Sequence, residues 1–236
     1  MACVGTRRPS EFAHQSAGQI SRGFSDNDIG VVSGLALGVD TACHNGALDG
    51  SLGYTVAVLA NGLDAVYPKD NNDLAERIVG SGGALISEQS FGTQATSYNL
   101  VSRDRLQSGI SDATVVVQTN VKGGTMHTVR STLEQSRLLY ALVPSESSSN
   151  HDEEWGGNLL LTNSNGRHIS EVLSAKSKYR ELLNSEFADD SPALPIQNLP
   201  LGSEVVKAIK ERFNGRGSRI LPGNLQVEQQ QFDFGG

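Results

Sequence analysis

The sequence predicts an α/β fold: a doubly wound, mostly parallel sheet with helices on both faces, followed by a short helical extension at the C-terminus. Two observations carry this. The strand candidates IGVVS, YTVAVLANG and ATVVVQT are built on continuous aliphatic runs rather than alternating ones, as expected of strands covered on both faces. Each is separated from the next by a helix-length segment, which is what right-handed crossovers between parallel strands require.

Taken in order, residues 2–5 (ACVG) read as a strand running into a turn, GTRRPS. EFAHQSAGQISRGF follows with Phe12, Ala13, Ala17, Ile20 and Phe24 on one helical stripe. IGVVS is a second strand, and VDTACHNGALDG a helix stopped by glycine. YTVAVLANG gives a third strand and turn, NNDLAERIVGSGG a capped helix with a glycine stop, and ALISE a fourth strand. TSYNLVSRDRLQSGIS reads as helical, ATVVVQT as the fifth strand, TMHTVRSTLEQSR as a helix, and LLYALVP as a sixth strand closed by proline. The compact domain is expected to span residues 1–172, with SESSSNHDEE (145–154) as a polar loop and GGNLLLTNSNG as a short piece near its end. Residues 173–200 read as a charged helix, which begins near Ser170, and a Pro-rich linker; residues 201–236 read as one short helix and a flexible tail.

Composition narrows the function classes. Hydrophobic content of 37% and aromatic content of 6% suit a soluble chain with an aliphatic core. No apolar run approaches the roughly 18 residues of a membrane span, and MACVGTRRPS has no apolar signal region, so no membrane association is expected. Cys3 and Cys43 lack motif spacing and read as small core residues in a reducing, cytoplasmic setting. The five histidines are scattered without metal-ligand spacing, so neither a metal nor another cofactor is expected. A formal net charge of −7 disfavours indiscriminate binding to polyanions. It leaves open a local cationic footprint, which is what nucleic-acid binding needs.

Three strand-to-helix turns could supply that footprint: GTRRPS, SGLALG and NVKGGT. In a parallel sheet such turns gather at the carboxyl ends of the strands, where small residues admit a ligand and helix N-termini favour anions. Arg7 and Arg8 lie in the first turn and Lys122 in the last, while Arg103 and Arg105 precede the fifth strand. None of these turns is a Walker A loop or a GxGxxG fingerprint. Asp40 and His44 stand four apart on one helix face near Ser33, a spacing that permits a mutual hydrogen bond. No GxSxG elbow accompanies them, so they read as structural or ligand-positioning groups and no catalytic residue is assigned.

SGLALGVDTACHNGAL, NGLDAVYPKDNNDL, GGALISE, SRDRLQSGIS, KGGTMHT and ALVP occur in the order found in the DprA/Smf DNA-processing proteins, which the chain resembles over roughly residues 2–172. GTRRPSEFA and GGNLLLTNSNG fit the same template. The resemblance implies a Rossmann-like fold, single-stranded DNA binding in a basic pocket, homodimerisation and delivery of the RecA recombinase onto that DNA, in a non-enzymatic role. It implies DNA or phosphate contacts from the first turn (Gly5, Thr6, Arg7, Arg8) and from the block Ser33, Gly34, Gly38, Asp40 and His44, with the last two bracing a phosphate cradle. The same role falls on Arg103 and Arg105, and on Lys122, Gly123, Gly124, Thr125 and Thr128.

The chain departs from the family pattern in three places. Leu37 stands where an arginine is usual, Asp104 replaces the asparagine between the two arginines, and Gly123 replaces a serine. A lost cation and an added anion lower the expected phosphate affinity. The sequence starts at the first strand, without the helical N-terminal domain common in the family, and its last 36 residues do not read as the family's winged helix. Gln229, Phe232 and Phe234 resemble the short peptide that docks on the bacterial sliding clamp. An alternative reading gives the same loops a nucleotide or nucleotide-derived signal, in a phage-defence or toxin–antitoxin setting. The related LOG-type phosphoribohydrolase motif PGGxGTxxE is not reproduced by KGGTMHTVRSTLE.

Overall fold

A computed structural model describes residues 1–144, 152–163, 194–196 and 206 of the chain. The sheet contains β1 (Ala2–Val4), β2 (Val31–Ser33), β3 (Thr55–Val58), β4 (Ala84–Ile86), β5 (Ala113–Val116), β6 (Leu138–Leu142) and β7 (Leu194–Ile196), in the order β4-β3-β2-β1-β5-β6-β7. Every pairing is parallel. The connecting helices are α1 (Glu11–Ser25), α2 (Val39–Leu48), α3 (Asn72–Gly80), α4 (Ser97–Gly109), α5 (Thr125–Glu134) and α6 (Asp152–Asn163). The Rossmann-like doubly wound reading therefore holds. The chain winds outward from β1 to β4, then crosses back to place β5 on the other side of β1. That reversal opens a crevice between the carboxyl ends of β1 and β5.

Alternation along β5 sorts the core. Ala113, Val115 and Val117 join Ala13, Ala17, Ile20 and Phe24 of α1 and Val39 and Cys43 of α2 in one apolar cluster. Val116 turns the other way, into a cluster with Met126, Val129 and Leu133 of α5. The stripe foreseen on α1 is thus its buried face, with Phe12 half-buried and packed tilted on Trp155 of α6 at 5.9 Å between ring centroids. Cys3 and Cys43 are buried free thiols in the first cluster. No described helix is long and apolar enough to cross a membrane.

Two elements differ from expectation. GGNLLLTNSNG does not stand as a separate short piece: its first residues lie within α6, which begins inside the stretch read as a polar loop. Gly157 and Asn158 explain the close docking of this helix. A Cβ at Gly157 would meet the Thr119 carbonyl oxygen at 2.8 Å. Asn158, fully buried, accepts from the Thr119 amide at 2.8 Å and donates to the carbonyls of Val117 and Leu142 at 3.0 and 2.9 Å. One amide thereby satisfies the backbone groups that β5 and β6 leave open at their ends.

The second difference is β7, which lies in the Pro-rich stretch read as linker and pairs Leu194, Pro195 and Ile196 with Tyr140, Ala141 and Leu142. A proline without an N–H is tolerated because β7 is the edge strand. Val206 is buried in the α1–α2 cluster. The helix expected from Ser170 to Ser185, the remainder of the short helix and tail of residues 201–236, and the peptide with Gln229, Phe232 and Phe234 lie outside the described residues.

Replacing Asn158 with alanine strands a buried amide and at least one buried carbonyl. We expect a loss of about 3 kcal/mol, the size of two to three unmade buried hydrogen bonds. Urea unfolding measures it; an unchanged midpoint would mean that α6 is held by its apolar face alone.

Candidate nucleic-acid interface

A cavity of about 460 Å³ occupies the crevice between β1 and β5. Its first lip is the turn after β1, with Gly5, Thr6, Arg7 and Arg8. Thr6 is pinned by its amide to the Gln118 carbonyl at 2.8 Å, and the Ser10 amide donates to the Gln118 side chain at 2.8 Å. This clamps the turn to the segment after β5, while the side chains of Arg7 and Arg8 remain exposed at the mouth. Among the described residues neither forms an ion pair.

The second lip is the loop after β5 with the start of α5: Thr119, Asn120, Gly123, Gly124, Thr125 and, buried, Thr128. Gly123 is needed for space, since a Cβ there would meet Thr119 Oγ1 at 2.5 Å. Among the described residues no hydrogen bond takes up the amides of Gly124 and Thr125. They stand at the N-terminus of a ten-residue helix, whose dipole favours anions.

One wall comes from α4. Ser97, Leu100, Val101, Asp104 and Gln107 recur at helical spacing and line the cavity together. Thr96 sets the start of this helix by accepting from the Asn99 amide at 3.1 Å. Burial pushes the Asp104 carboxyl up to about 7, against the opposing effect of the Arg103 guanidinium. Gln107 Nε2 donates to Asp104 Oδ1 at 3.2 Å. Nothing in the sequence marked Gln107 or the apolar wall residues, because a mixed polar and apolar helix face resembles ordinary surface.

Several residues assigned to phosphate contact have other work. Arg103 lines the cavity but is buried, and its Nη1 donates to the carbonyls of Gly34 and Val58 at the ends of β2 and β3. Its Nε stands 3.4 Å from Asp104 Oδ1, an ion pair without hydrogen-bond geometry. Arg103 is a strut. Arg105 points away from the cavity and pairs with Glu88 on the surface. Lys122 is exposed but does not line the cavity.

The SGLALG turn is filled from inside. Asp40 Oδ2 accepts from the amides of Gly34 and Ala36 at 3.1 and 3.3 Å, so a carboxylate of the chain holds two of the N–H groups expected to cradle phosphate. Burial raises the Asp40 carboxyl above its usual range, with Arg103 and these amides acting against the rise. Gly38 adopts φ +82°, and a Cβ there would lie 2.6 Å from the Thr6 carbonyl oxygen, whose neighbour in the second turn is the Val39 amide at 3.1 Å. Leu35 also takes a left-handed backbone (φ +57°) and is held by Asn71 Nδ2 on its carbonyl at 2.8 Å, a brace with no sequence signal. Ser33 Oγ donates to the Cys3 carbonyl at 2.6 Å.

The Asp40–His44 hydrogen bond is not formed. His44 Nδ1 lies 3.0 Å from Thr55 Oγ1, whose own proton goes to the Val31 carbonyl, so the imidazole donates from Nδ1. Among the described residues its Nε2 has no partner, and burial followed by the Arg103 charge lowers its pKa to about 3, leaving a neutral ring. Among the described residues no cluster of three or more His, Cys, Asp or Glu could hold a metal ion.

Residues 1–176 match the family described as DNA recombination-mediator protein A. DNA processing protein DprA of Bacillus subtilis is 31% identical over 179 residues, 76% of this chain and 57% of that protein. The X-ray structure of DprA from Streptococcus pneumoniae superposes with a TM-score of 0.57 at 32% identity, covering 64% of this chain and 53% of that one. A Helicobacter pylori DprA structure, described for its unique single-stranded DNA binding mode, gives a TM-score of 0.60 at 26% identity and covers 78% of each chain. The chain spans about half the length of the curated relatives it matches.

Asp104 makes the wall testable through pH. Its folded pKa of about 7 lies above the ordinary 3.8, so the folded state binds the proton more tightly and stability falls as pH rises between about 4 and 7. His44 acts in the opposite sense, losing stability as pH falls below its ordinary 6.5. The difference between Asp104→Asn and the parent isolates the carboxyl. Thermal unfolding should show the variant's advantage growing from pH 4 to pH 7 and levelling off above; a constant difference would place Asp104 in water.

Proposed function

This chain belongs to the DNA recombination-mediator protein A family, and we propose that its crevice binds single-stranded DNA in DNA processing and recombination. The carrying observation is that Arg7, Arg8 and the open amides at the start of α5 converge on one cavity at the point where the sheet reverses. Cations and helix-terminal amides recognise the phosphodiester, which every sequence shares, so binding is sequence-tolerant and salt-dependent. The H. pylori relative, described for its single-stranded DNA binding, supports the choice of ligand. DNA-processing relatives also favour this reading over a nucleotide-derived signal. The protein acts here by binding, without a chemical step. Delivery of RecA and assembly as a homodimer belong to the same proposal, which family membership supports.

The crevice separates the cations into three groups with different expected effects. Arg7 and Arg8 touch the strand, Arg103 shapes the crevice, and Arg105 lies off it beside Glu88. Fluorescence anisotropy with labelled oligo-dT across a salt series tests this. Arg7→Ala and Arg8→Ala should each weaken binding and reduce the salt slope by about 0.7, the value for one phosphate contact on a single strand. Arg105→Ala should leave affinity within about twofold, the range of an exposed ion pair of small energy. An intact slope in the double Arg7, Arg8 variant would remove the crevice from DNA binding.

A further inference from the structure

A second, smaller notch of about 70 Å³ adjoins the crevice, and Arg7, Ala36 and Leu100 line both. Its other walls are apolar: Leu37 from the turn before α2, and Tyr67 and Pro68 from the segment leading to α3. Leu37 is 42% and Tyr67 46% exposed, a large aliphatic and a large aromatic side chain left open beside the exposed Arg7. Neither serves the core, whose nearest cluster is completed by Leu35, Ala57, Leu59 and Leu74.

We propose that this notch is a base-stacking subsite, in which one unpaired nucleobase lodges a ring edge between Leu37 and Tyr67 while its phosphate is held by Arg7. The inference rests on the reading of the crevice as a single-stranded DNA site. The occupant follows from continuity: Arg7 is the wall between a cationic cavity and an apolar one, and a nucleotide is a ligand with an anionic end joined to a flat apolar end. A notch of this volume admits part of a ring and leaves the Watson–Crick edge outside, so every base is accepted. Stacking on an aromatic face is sequence-tolerant for the same reason. A duplex is excluded from the subsite, because its bases are turned inward on one another.

The subsite adds binding energy that depends on bases and not on charge. The test compares oligo-dT with an abasic oligonucleotide of the same length and phosphate count, for the parent protein and for Tyr67→Ala and Leu37→Ala. We expect the parent to prefer oligo-dT, and each substitution to lower oligo-dT affinity by roughly fivefold to a hundredfold, the range for loss of one stacked base. Abasic affinity and both salt slopes should be unchanged. Equal binding of both oligonucleotides by the parent, with the Arg7 effect intact, would overturn the subsite and leave the crevice standing. Failure of the parent to bind either would overturn the crevice itself. Should the two variants change only the protein's self-association in light scattering, the notch is a protein contact and the subsite is refuted.

Discussion

A buried guanidinium holds the mouth of this sheet in shape. Arg103 reaches from α4 to the carbonyls of Gly34 and Val58, tying the helix to the ends of two neighbouring strands. Position 34 has no room for a side chain because the guanidinium fills it. A buried cation is tolerated when oxygens face it, and here Nη1 donates to two strand-end carbonyls while the Asp104 carboxyl lies 3.4 Å from Nε. That single docking fixes the rotation of α4, and the rotation decides that Ser97, Leu100, Val101, Asp104 and Gln107 face the crevice. Burial keeps His44 neutral and the same charge adds to that effect, while it offsets part of the burial of Asp40. Chemistry at the rim is therefore built on an interior strut.

The first two strand-end turns divide the labour that the sequence assigned to both. In the SGLALG turn, Asp40 occupies amides that would otherwise face a ligand, and Gly38 lets that turn press on the backbone of the first one. The second turn is thus a rigid backing against which Thr6 and Arg7 are set. Rigidity of this kind lowers the ordering entropy paid on binding, since the cations at the lip move on a fixed backbone. The loop after β5 is fixed in turn by Asn158, which joins it to α6. Both lips are held from behind, and their outward groups stay open.

Legibility in the sequence followed burial. Six strands were readable because each is a continuous apolar run between glycine or proline stops, and the helix stripes were readable because their period matched the faces they bury. The strand Leu194–Ile196 was not, since a central proline argues against a strand until the edge position is known. At the site, the position of GTRRPS and KGGT at strand ends is what the sequence shows, and both turns line the cavity, although Lys122 in the second lies off it. Arg103 and Arg105 were legible as cations but not by direction: two residues apart on a helix, they point to different sides, one into the sheet ends and one toward Glu88. Asp40 reads from the sequence as bracing a cradle together with His44, whereas in the structure it holds the Gly34 and Ala36 amides and His44 turns to Thr55. Leu37 read as a lost cation, and only the neighbouring Tyr67 and Pro68 show the apolar wall it forms.

The central claim is that the crevice between β1 and β5, and no other face, receives the strand. Backbone amide shifts of isotopically labelled protein during titration with oligo-dT test it most directly. The account predicts perturbation at Thr6, Arg7, Gly124 and Thr125, on both lips at once, with little change at Arg105 or along the exposed side of α3. Shifts confined to α3, or to the surface around Arg105 and Glu88 with silent lips, would contradict it.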